Sequence, residues 1–448
     1  MINDKKFNEY DSINYFDISK EVISFWKKNK IFQKSIETRP KDKIYPFYEG
    51  PPSANGMPGI HHVMARTIKD IFCRYKTLKG YRVYRKGGWD THGLPVELQV
   101  EKKLGITKDD IGSKISIEEY NNECKKAVMQ FKTKWEELTE SIGYWLDIND
   151  AYITFDNNYI ESVWWSLKKL YDNNLLYKGY SIQPYSPAAG TGLSSHELNM
   201  PGAYKTIKDT SLTAQFKISK NEKTNKIFGG KECYFLAWTT TPWTLPANNG
   251  LAVGKNIDYI QVETFNKYTE KKINVVLAES CVNKFFDNKN ESKNESITFD
   301  KKKIEYRIIK FFKGKDFIGL DYEQLLPYVK AEKPAFTVVS ADFVTTEEGT
   351  GIVHISLTFG SDDFHVSRKN NLPGIFVLND KNEKVPIVNK SGKFVDEIID
   401  FAGLEVKKFS ESDGLTTDEK ISIKLKKENK AFDVQKYEHS YPHCWRTD

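Results

Sequence analysis

Hydrophobic and polar positions change their rhythm along this chain, and the changes predict its elements. The aromatic run KIYPFYEG (43–50) predicts a short strand, and the turn-rich PPSANGMPG follows it. Helical spacing then runs from about His61 to Leu78, with Gly80 as the C-terminal stop. YRVYRKGGWD returns to strand and ends in a turn. A strand, a loop at a helix start and a second strand form the opening of a nucleotide-binding βαβ unit. Helices dominate next. YIESVWWSLKKLYDNNLLYKG places Ile160, Val163, Trp164, Leu167, Leu170 and Tyr171 on one face, which predicts core packing for Trp164 and Trp165. After about Pro201 the runs CYFLAWTTTPW, YIQVETF, INVVLAES and AFTVVSADFVTTEEGTGIVHISL, separated by turn residues, predict a β-rich second domain. The closing YEHSYPHCWRTD reads as a further ordered α/β element. The chain stops as that element begins, which suggests a truncated protein.

Composition narrows this picture only a little. A length of 448 residues suggests roughly three domains. The formal charge is +6, but only eight of the 67 basic residues are arginine. The lysines are scattered, so the charge permits an acidic partner such as nucleic acid without arguing strongly for one. The five cysteines lie far apart with no CxxC pair, so neither a disulfide framework nor a zinc knuckle is indicated. Reduced thiols in the cytoplasm are the simple expectation. The polar opening MINDKKFNEY does not read as a signal peptide, and no apolar run approaches the ~20 residues that span a bilayer. The polar stretch Asp287 to Ser296 reads as a solvated loop.

The candidate chemistry begins at the mouth of the first helix. A loop leading into a helix N-terminus binds anions, because free N–H groups and the helix dipole face the ligand. An imidazole there can donate to a phosphate oxygen without full charge. His61 and His62 stand where a triphosphate could lie.

The stretch resembles the HIGH signature of class I aminoacyl-tRNA synthetases. GGWDTHGLPVE (87–97) is similar to the companion strand-end motif of the isoleucyl-tRNA synthetase family, WTTTPWTLPANN (238–249) and EEGTGIVH…FGSDD (347–363) to its editing domain, and HSYPHCWR (439–446) to the return to its catalytic domain. Leucyl enzymes typically read GWDAFGMP where this chain has GWDTHGLP, and valyl enzymes PPNVTG where it has PPSANG. The dinucleotide fingerprint GxGxxG is absent. The resemblance implies an α/β fold: the N-terminal half of a Rossmann-like nucleotide-binding domain (1–200), an inserted β-rich editing domain (201–435) and a return to the catalytic domain (436–448).

It also implies a ligase that uses ATP with Mg²⁺, isoleucine and tRNA(Ile), working as a cytoplasmic monomer away from membranes. Gly50 and Pro51 would line the amino-acid pocket, and Asp90 would receive the substrate ammonium. His61 and His62 would act in catalysis, with Gly59 and His62 against ATP. Thr239, Thr240, Thr241, Asn248, His354 and Asp363 would form the editing site. The chain departs from the family in three places. The usual His-x-Gly-His reads Gly59-Ile60-His61-His62, so His61 is expected to supply the imidazole missing at position 59. HISLTFG replaces the usual HQAPAFG near Ser356 and Leu357. Ser186 and Ala189 stand where bacterial relatives often carry a zinc-binding CxxC, and Thr447 stands three residues after Cys444, so no zinc is expected. KISK (217–220) imitates the family's KMSKS but falls in a strand-like run far too early, so the KMSKS half is expected outside this chain.

Overall fold

The structure, a computed structural model, describes residues 12–407, 414–445 and 447. The N-terminal MINDKKFNEY and Arg446 of the last motif lie outside the described residues. The chain divides into two compact units, one ending at Gly179 and the other beginning at Tyr180.

The first unit opens with helices α1 (Tyr15–Asn29) and α2 (Ile31–Glu37). Strand β1 (Ile44–Tyr48), helix α3 (Ile60–Leu78) and strand β2 (Arg82–Trp89) then form the expected βαβ unit. Helices α4 (Leu94–Leu104), α5 (Ile117–Val128) and α6 (Lys132–Ser141) precede strand β3 (Asp147–Ile153) and helix α7 (Asn157–Asp172). The sheet has the order β1-β2-β3, and both pairings are parallel. Local chemistry sets the helix ends. Ser116 accepts from the Glu119 N–H while Glu119 reaches back to the Ser116 N–H, which starts α5. Gly105 at φ +66° ends α4. Helix α3 is locked to β2 through Arg85, a fully buried side chain that donates to Asp70 at 3.0 Å and to Thr77 Oγ1 at 3.0 Å.

The pair Gly87-Gly88 in β2 is a matter of space. A Cβ at Gly88 would run into the Tyr152 ring, which crosses the strand so that its hydroxyl donates to the Glu49 carbonyl at 2.6 Å. Gly88→Ala should therefore lower the melting temperature, at an overpacking cost of about 1–3 kcal/mol. Gly56→Ala, with nothing within 4 Å of its Cβ, should melt as the native chain does. Thermal denaturation of the three proteins checks this.

One expectation is corrected in this unit. Trp164 and Trp165 are 70% and 65% exposed, and no residue of α7 is buried. Helical periodicity reports that a helix has an apolar face; it does not report what covers that face. A similar uncovered stripe, Ile60, Met64, Ile68, Ile71 and Tyr75, runs along α3.

The second unit is β-rich. It starts with a small hairpin, β4 (Tyr185–Ser186) and β5 (Thr191–Gly192), and a one-turn helix α8 (Ser195–Leu198). Its main sheet contains β6 (Tyr204–Lys217), β7 (Cys233–Thr239), β9 (Asp258–Phe265), β10 (Lys272–Ala278), β11 (Arg307–Lys313) and β16 (Ala431–Pro442), in the order β11-β9-β10-β7-β6-β16. A second sheet, β12-β8-β13, combines β8 (Gly250–Val253), β12 (Thr337–Ser340) and β13 (Ile352–Ile355). The hairpin β14 (Val377–Leu378) and β15 (Lys384–Val385) completes the strands. Helices α9 (Glu222–Phe228), α10 (Val282–Phe285), α11 (Ser361–Lys369) and α12 (Thr417–Lys427) connect them. The core packs Phe216, Phe235, Leu251, Ile260 and Phe317, all under 2% exposed. Residues 436–442 continue β16 and pair with β6 in register from Lys436↔Thr210 to Pro442↔Tyr204, which makes a long two-stranded ribbon. The KISK lysine Lys217 ends β6 and pairs with Glu232 and Glu323.

Candidate functional site

In the first unit the loop between β1 and α3 folds over the N-terminus of α3. A cleft of about 380 Å³ opens there, lined among others by Glu49, Gly50, His62, Arg66, Lys69 and Trp135. Gly59 is the N-cap of α3, with extended backbone (φ −108°, ψ 173°). Its N–H donates to Nδ1 of His62 at 2.9 Å, which puts the proton of the neutral ring on Nε2. The His62 ring meets Trp135 edge-on at 4.6 Å and His61 at 3.7 Å. Burial, together with the charges of His61 and Arg66, holds the His62 pKa below the ordinary imidazole value. His62 is therefore a neutral donor at pH 7, standing at the positive end of a helix.

His61 sits over Gly59. A Cβ at position 59 would lie 2.9 Å from its Cε1 and 3.1 Å from its Nδ1. The imidazole of residue 61 thus fills the space into which a side chain at 59 would project. Asp90 follows the end of β2; its N–H donates to the Pro52 carbonyl at 3.0 Å, and its carboxylate accepts from the His92 N–H at 3.3 Å. It is thus tied to the loop and also turns the chain behind it. Gly50 and His62 line the cleft; Pro51, Gly59, His61 and Asp90 are not among its lining residues.

Several lining residues went unread in the sequence. Glu49 is buried and takes hydrogen bonds from Lys69 and from the Tyr144 hydroxyl. Arg66 is buried, bonded to Thr139, and lies over the rings of Trp135 and Tyr144. His62, Arg66 and Lys69 share one face of α3 at spacings of four and three, a pattern that the many lysines of this chain mask.

In the second unit the threonines leave the end of β7. Thr239 Oγ1 accepts from the Thr241 N–H at 3.0 Å and lies 3.2 Å from Thr241 Oγ1. A 3₁₀ turn, Pro242–Ala247, follows. Thr244 Oγ1 donates to the Thr241 carbonyl at 2.9 Å, so it accepts from Nε2 of His354, 3.0 Å away. That leaves His354 Nδ1 a bare acceptor, buried and without a partner. Burial pushes the His354 pKa down to about 4. The Trp243 ring packs edge-on against Phe359 at 4.9 Å. Four residues on, Asp363 stands in the first turn of α11, with Oδ2 accepting from the Ser356 N–H at 2.9 Å. Burial raises its pKa to about 6; the Ser356 N–H offsets part of this and Asp362 adds to it. Thr241 and His354 are thus linked through Thr244, and Trp243 packs on Phe359 of the segment between His354 and Asp363. Asn248 spends its amide within the fold, on the carbonyls of Gly250 and Ile355 and on the Tyr322 hydroxyl. The hydroxyls of Ser356 and Thr358, where the family usually has alanines, are buried without partners.

The Ser186 and Thr447 hydroxyls come to 3.4 Å, beside the hairpin β4–β5. Two hydroxyls, the Ala189 methyl and the single thiol of Cys444 do not make a zinc donor set. Among the described residues no three His, Cys, Asp or Glu side chains converge on a metal position. Among the described residues no helix is long and apolar enough to cross a membrane.

Residues 21–347 match the family model of tRNA synthetases class I (I, L, M and V). The chain is 56% identical over 458 residues to an isoleucine–tRNA ligase of Cytophaga hutchinsonii, covering 99% of this chain and 41% of that protein. It is 51% identical over 465 residues to one of Bacteroides fragilis, with 99% and 41% covered. It is 42% identical over 437 residues to one of Clostridium tetani, with 98% and 37% covered. The chain therefore spans about two fifths of the length of these curated relatives. Among solved structures, a crystal structure of GlLeuRS-CP1 covers 50% of this chain and 98% of its own, at 14% identity and a TM-score of 0.34.

Proposed function

We infer, from a chain that belongs to the class I tRNA synthetases of the isoleucyl, leucyl, methionyl and valyl group, that it is the N-terminal part of an isoleucine–tRNA ligase. Its first unit activates isoleucine with ATP, and its second unit hydrolyses valine mischarged on tRNA(Ile). The observation that carries the first half is the cleft at the mouth of α3, where a neutral His62 donor shares the lining with Gly50, Arg66 and Lys69. In activation a carboxylate oxygen of isoleucine attacks the α-phosphorus of ATP and pyrophosphate leaves. A ribose hydroxyl at the tRNA 3′ end then takes the acyl group and releases AMP. His62 Nε2–H and the first N–H groups of α3 hold phosphate oxygens. Gly50 and Pro51 bound the amino-acid side, and Asp90 takes its ammonium. Magnesium enters with the nucleotide and neutralises phosphate charge. Positioning and charge stabilisation carry the rate.

A pocket shaped for isoleucine cannot exclude valine, because one methylene is worth only about 1–3 kcal/mol; the isoleucyl enzyme is itself the usual worked example of this limit. The second unit supplies the missing discrimination. The Thr239–Thr241 hydroxyls hold the terminal ribose and a water, and Asp363 holds the aminoacyl ammonium. Water attacks the ester carbonyl, the ribose oxygen leaves with a proton, and valine is released. What supports this half is that the turn after the threonine loop bonds His354 through Thr244 and packs Trp243 on Phe359, although more than a hundred residues separate them, while Asp363 is tied to the Ser356 N–H two residues after His354.

The test is hydrolysis of valyl-tRNA(Ile) and isoleucyl-tRNA(Ile) by the 448-residue chain at high protein concentration. The valyl ester should disappear faster. Binding of tRNA with no hydrolysis of either ester would favour a module that binds tRNA without chemistry.

A further inference from the structure

The threonine loop is held from behind by a carboxylate that belongs to neither of its neighbours in sequence. The 3₁₀ turn after Thr241 begins with Pro242, which has no N–H, so Trp243 carries the first free donor of the turn. That N–H donates to Oδ1 of Asp418 at 2.8 Å, a residue 175 positions later in the first turn of α12. Asp418 is 3% exposed. Its other oxygen takes the Lys407 ammonium at 3.0 Å, and the same ammonium reaches Asp209 Oδ2 at 2.7 Å. His439 Nε2 lies 3.0 Å from that same Asp209 oxygen, and Lys407 stands over the Tyr441 ring at 5.3 Å. Asp209 is on β6, and His439 and Tyr441 are on β16, so the chain of contacts runs from the ribbon, through Lys407 and Asp418, to the backbone between Thr241 and Thr244. Buried carboxylates are retained at a cost unless a cation and hydrogen-bond donors satisfy them, and here both do. Three contacts of the hydrolytic site depend on that stretch of backbone: the Thr239–Thr241 pair, the Thr244–His354 bond and the Trp243–Phe359 packing.

We propose that Asp418 is a positioning residue of the hydrolytic site, holding the threonine loop through the Trp243 N–H while Lys407, shared with Asp209 on the ribbon, holds Asp418. This rests on the deacylation reading of the β-rich unit. Burial pushes the Asp418 pKa up to about 6, opposed by Lys407 and the Trp243 N–H, which agrees with a carboxylate kept for its position rather than for exposure to solvent.

Two substitutions separate position from charge. Asp418→Asn keeps an acceptor oxygen for the Trp243 N–H but turns an NH2 toward the Lys407 ammonium, which keeps Asp209 alone. Asp418→Glu keeps the charge and moves the acceptor by one methylene. In the 448-residue chain, Asp418→Glu should lower kcat for valyl-tRNA(Ile) hydrolysis by about 10- to 100-fold. KM should stay within about twofold, because tRNA contacts are untouched. Asp418→Asn should lose less of kcat than Asp418→Glu, because the Trp243 N–H keeps its acceptor. Amide hydrogen exchange across 239–247 should be faster in Asp418→Glu and near native in Asp418→Asn, with β7 and α12 unchanged. Unchanged exchange in Asp418→Glu, or equal loss of kcat in the two variants, would overturn the proposal. If the native chain hydrolyses no valyl ester, the deacylation reading falls, and the exchange comparison alone decides whether Asp418 holds the loop.

Discussion

Asp363→Ala should remove most of the valyl-tRNA(Ile) hydrolysis of this chain while leaving its fold intact. The carboxylate starts α11, and one oxygen is fixed by the Ser356 N–H at 2.9 Å. The other oxygen remains for an ammonium. A hydrogen bond to a charged group at a partly buried site is worth about 2 kcal/mol, which is about 30-fold in kcat/KM. The pH dependence has a definite sign. Burial raises the Asp363 pKa to about 6, with Asp362 adding to it and the Ser356 N–H opposing it. Hydrolysis that needs the ionised form should be full well above pH 6 and fall as pH drops through that value. Asp363→Asn should be slow and flat across the same window. Stability should move the other way. A carboxyl whose folded pKa is raised contributes stability at low pH that is lost as pH rises through the folded value. Asp363→Asn should therefore melt above the native chain at pH 7.5, and the gap should narrow toward pH 4. Rates on valyl-tRNA(Ile) and melting curves from pH 4 to 8 test both statements. Equal hydrolysis by Asp363→Ala and the native chain would remove Asp363 as the anchor.

Local periodicity carries information about elements and little about what meets them. The βαβ opening was legible because strand and helix spacing alternate between 44 and 89 with turn residues at the joints. His62 was legible because a helix mouth is a chemical feature of the chain itself. Arg66 and Lys69 lie on the same face as His62, yet only eight of the 67 basic residues are arginine, and in a lysine-rich chain a basic triplet on a helix stands out from nothing. Glu49, Trp135 and Tyr144 could not be read, because Glu49 meets Tyr144 across 95 residues and Trp135 reaches the Gly56 carbonyl across 79. The same limit applies to Trp164, whose helix face was legible and whose covering was not. In the β-rich unit, Asp363 came from a resemblance to a motif. Its raised pKa comes first from burial, which the fold supplies, with the neighbouring Asp362 adding to it, and Asp418 left no local mark at all.

Exchanging residues 59 and 61 should show that the imidazole of His61 does the work of the missing one at 59. Gly59 has extended backbone that any residue adopts, so histidine there meets no conformational barrier. Space is the barrier. A Cβ at 59 would lie 2.9 Å from Cε1 of His61, and the His61 ring already lies 3.7 Å from that of His62. Gly59→His alone must displace His61 and crowd three imidazoles at one helix mouth, so ATP–pyrophosphate exchange should fall. His61→Gly alone opens the space but removes the second imidazole at the helix mouth, which should cost about 100-fold, the loss expected of a donor to developing charge. The double variant Gly59→His/His61→Gly restores the order His-x-Gly-His and relieves the clash. It should be more active than either single variant, a coupling of about 1 kcal/mol or more between residues in contact. The assay needs a protein that carries these residues together with the segment bearing KMSKS, with isoleucine as substrate and valine as comparison. Melting curves of the three variants separate crowding from lost chemistry, because His61→Gly should fold normally and still be slow. A double variant no better than the poorer single one would mean that position 61 does not stand in for position 59.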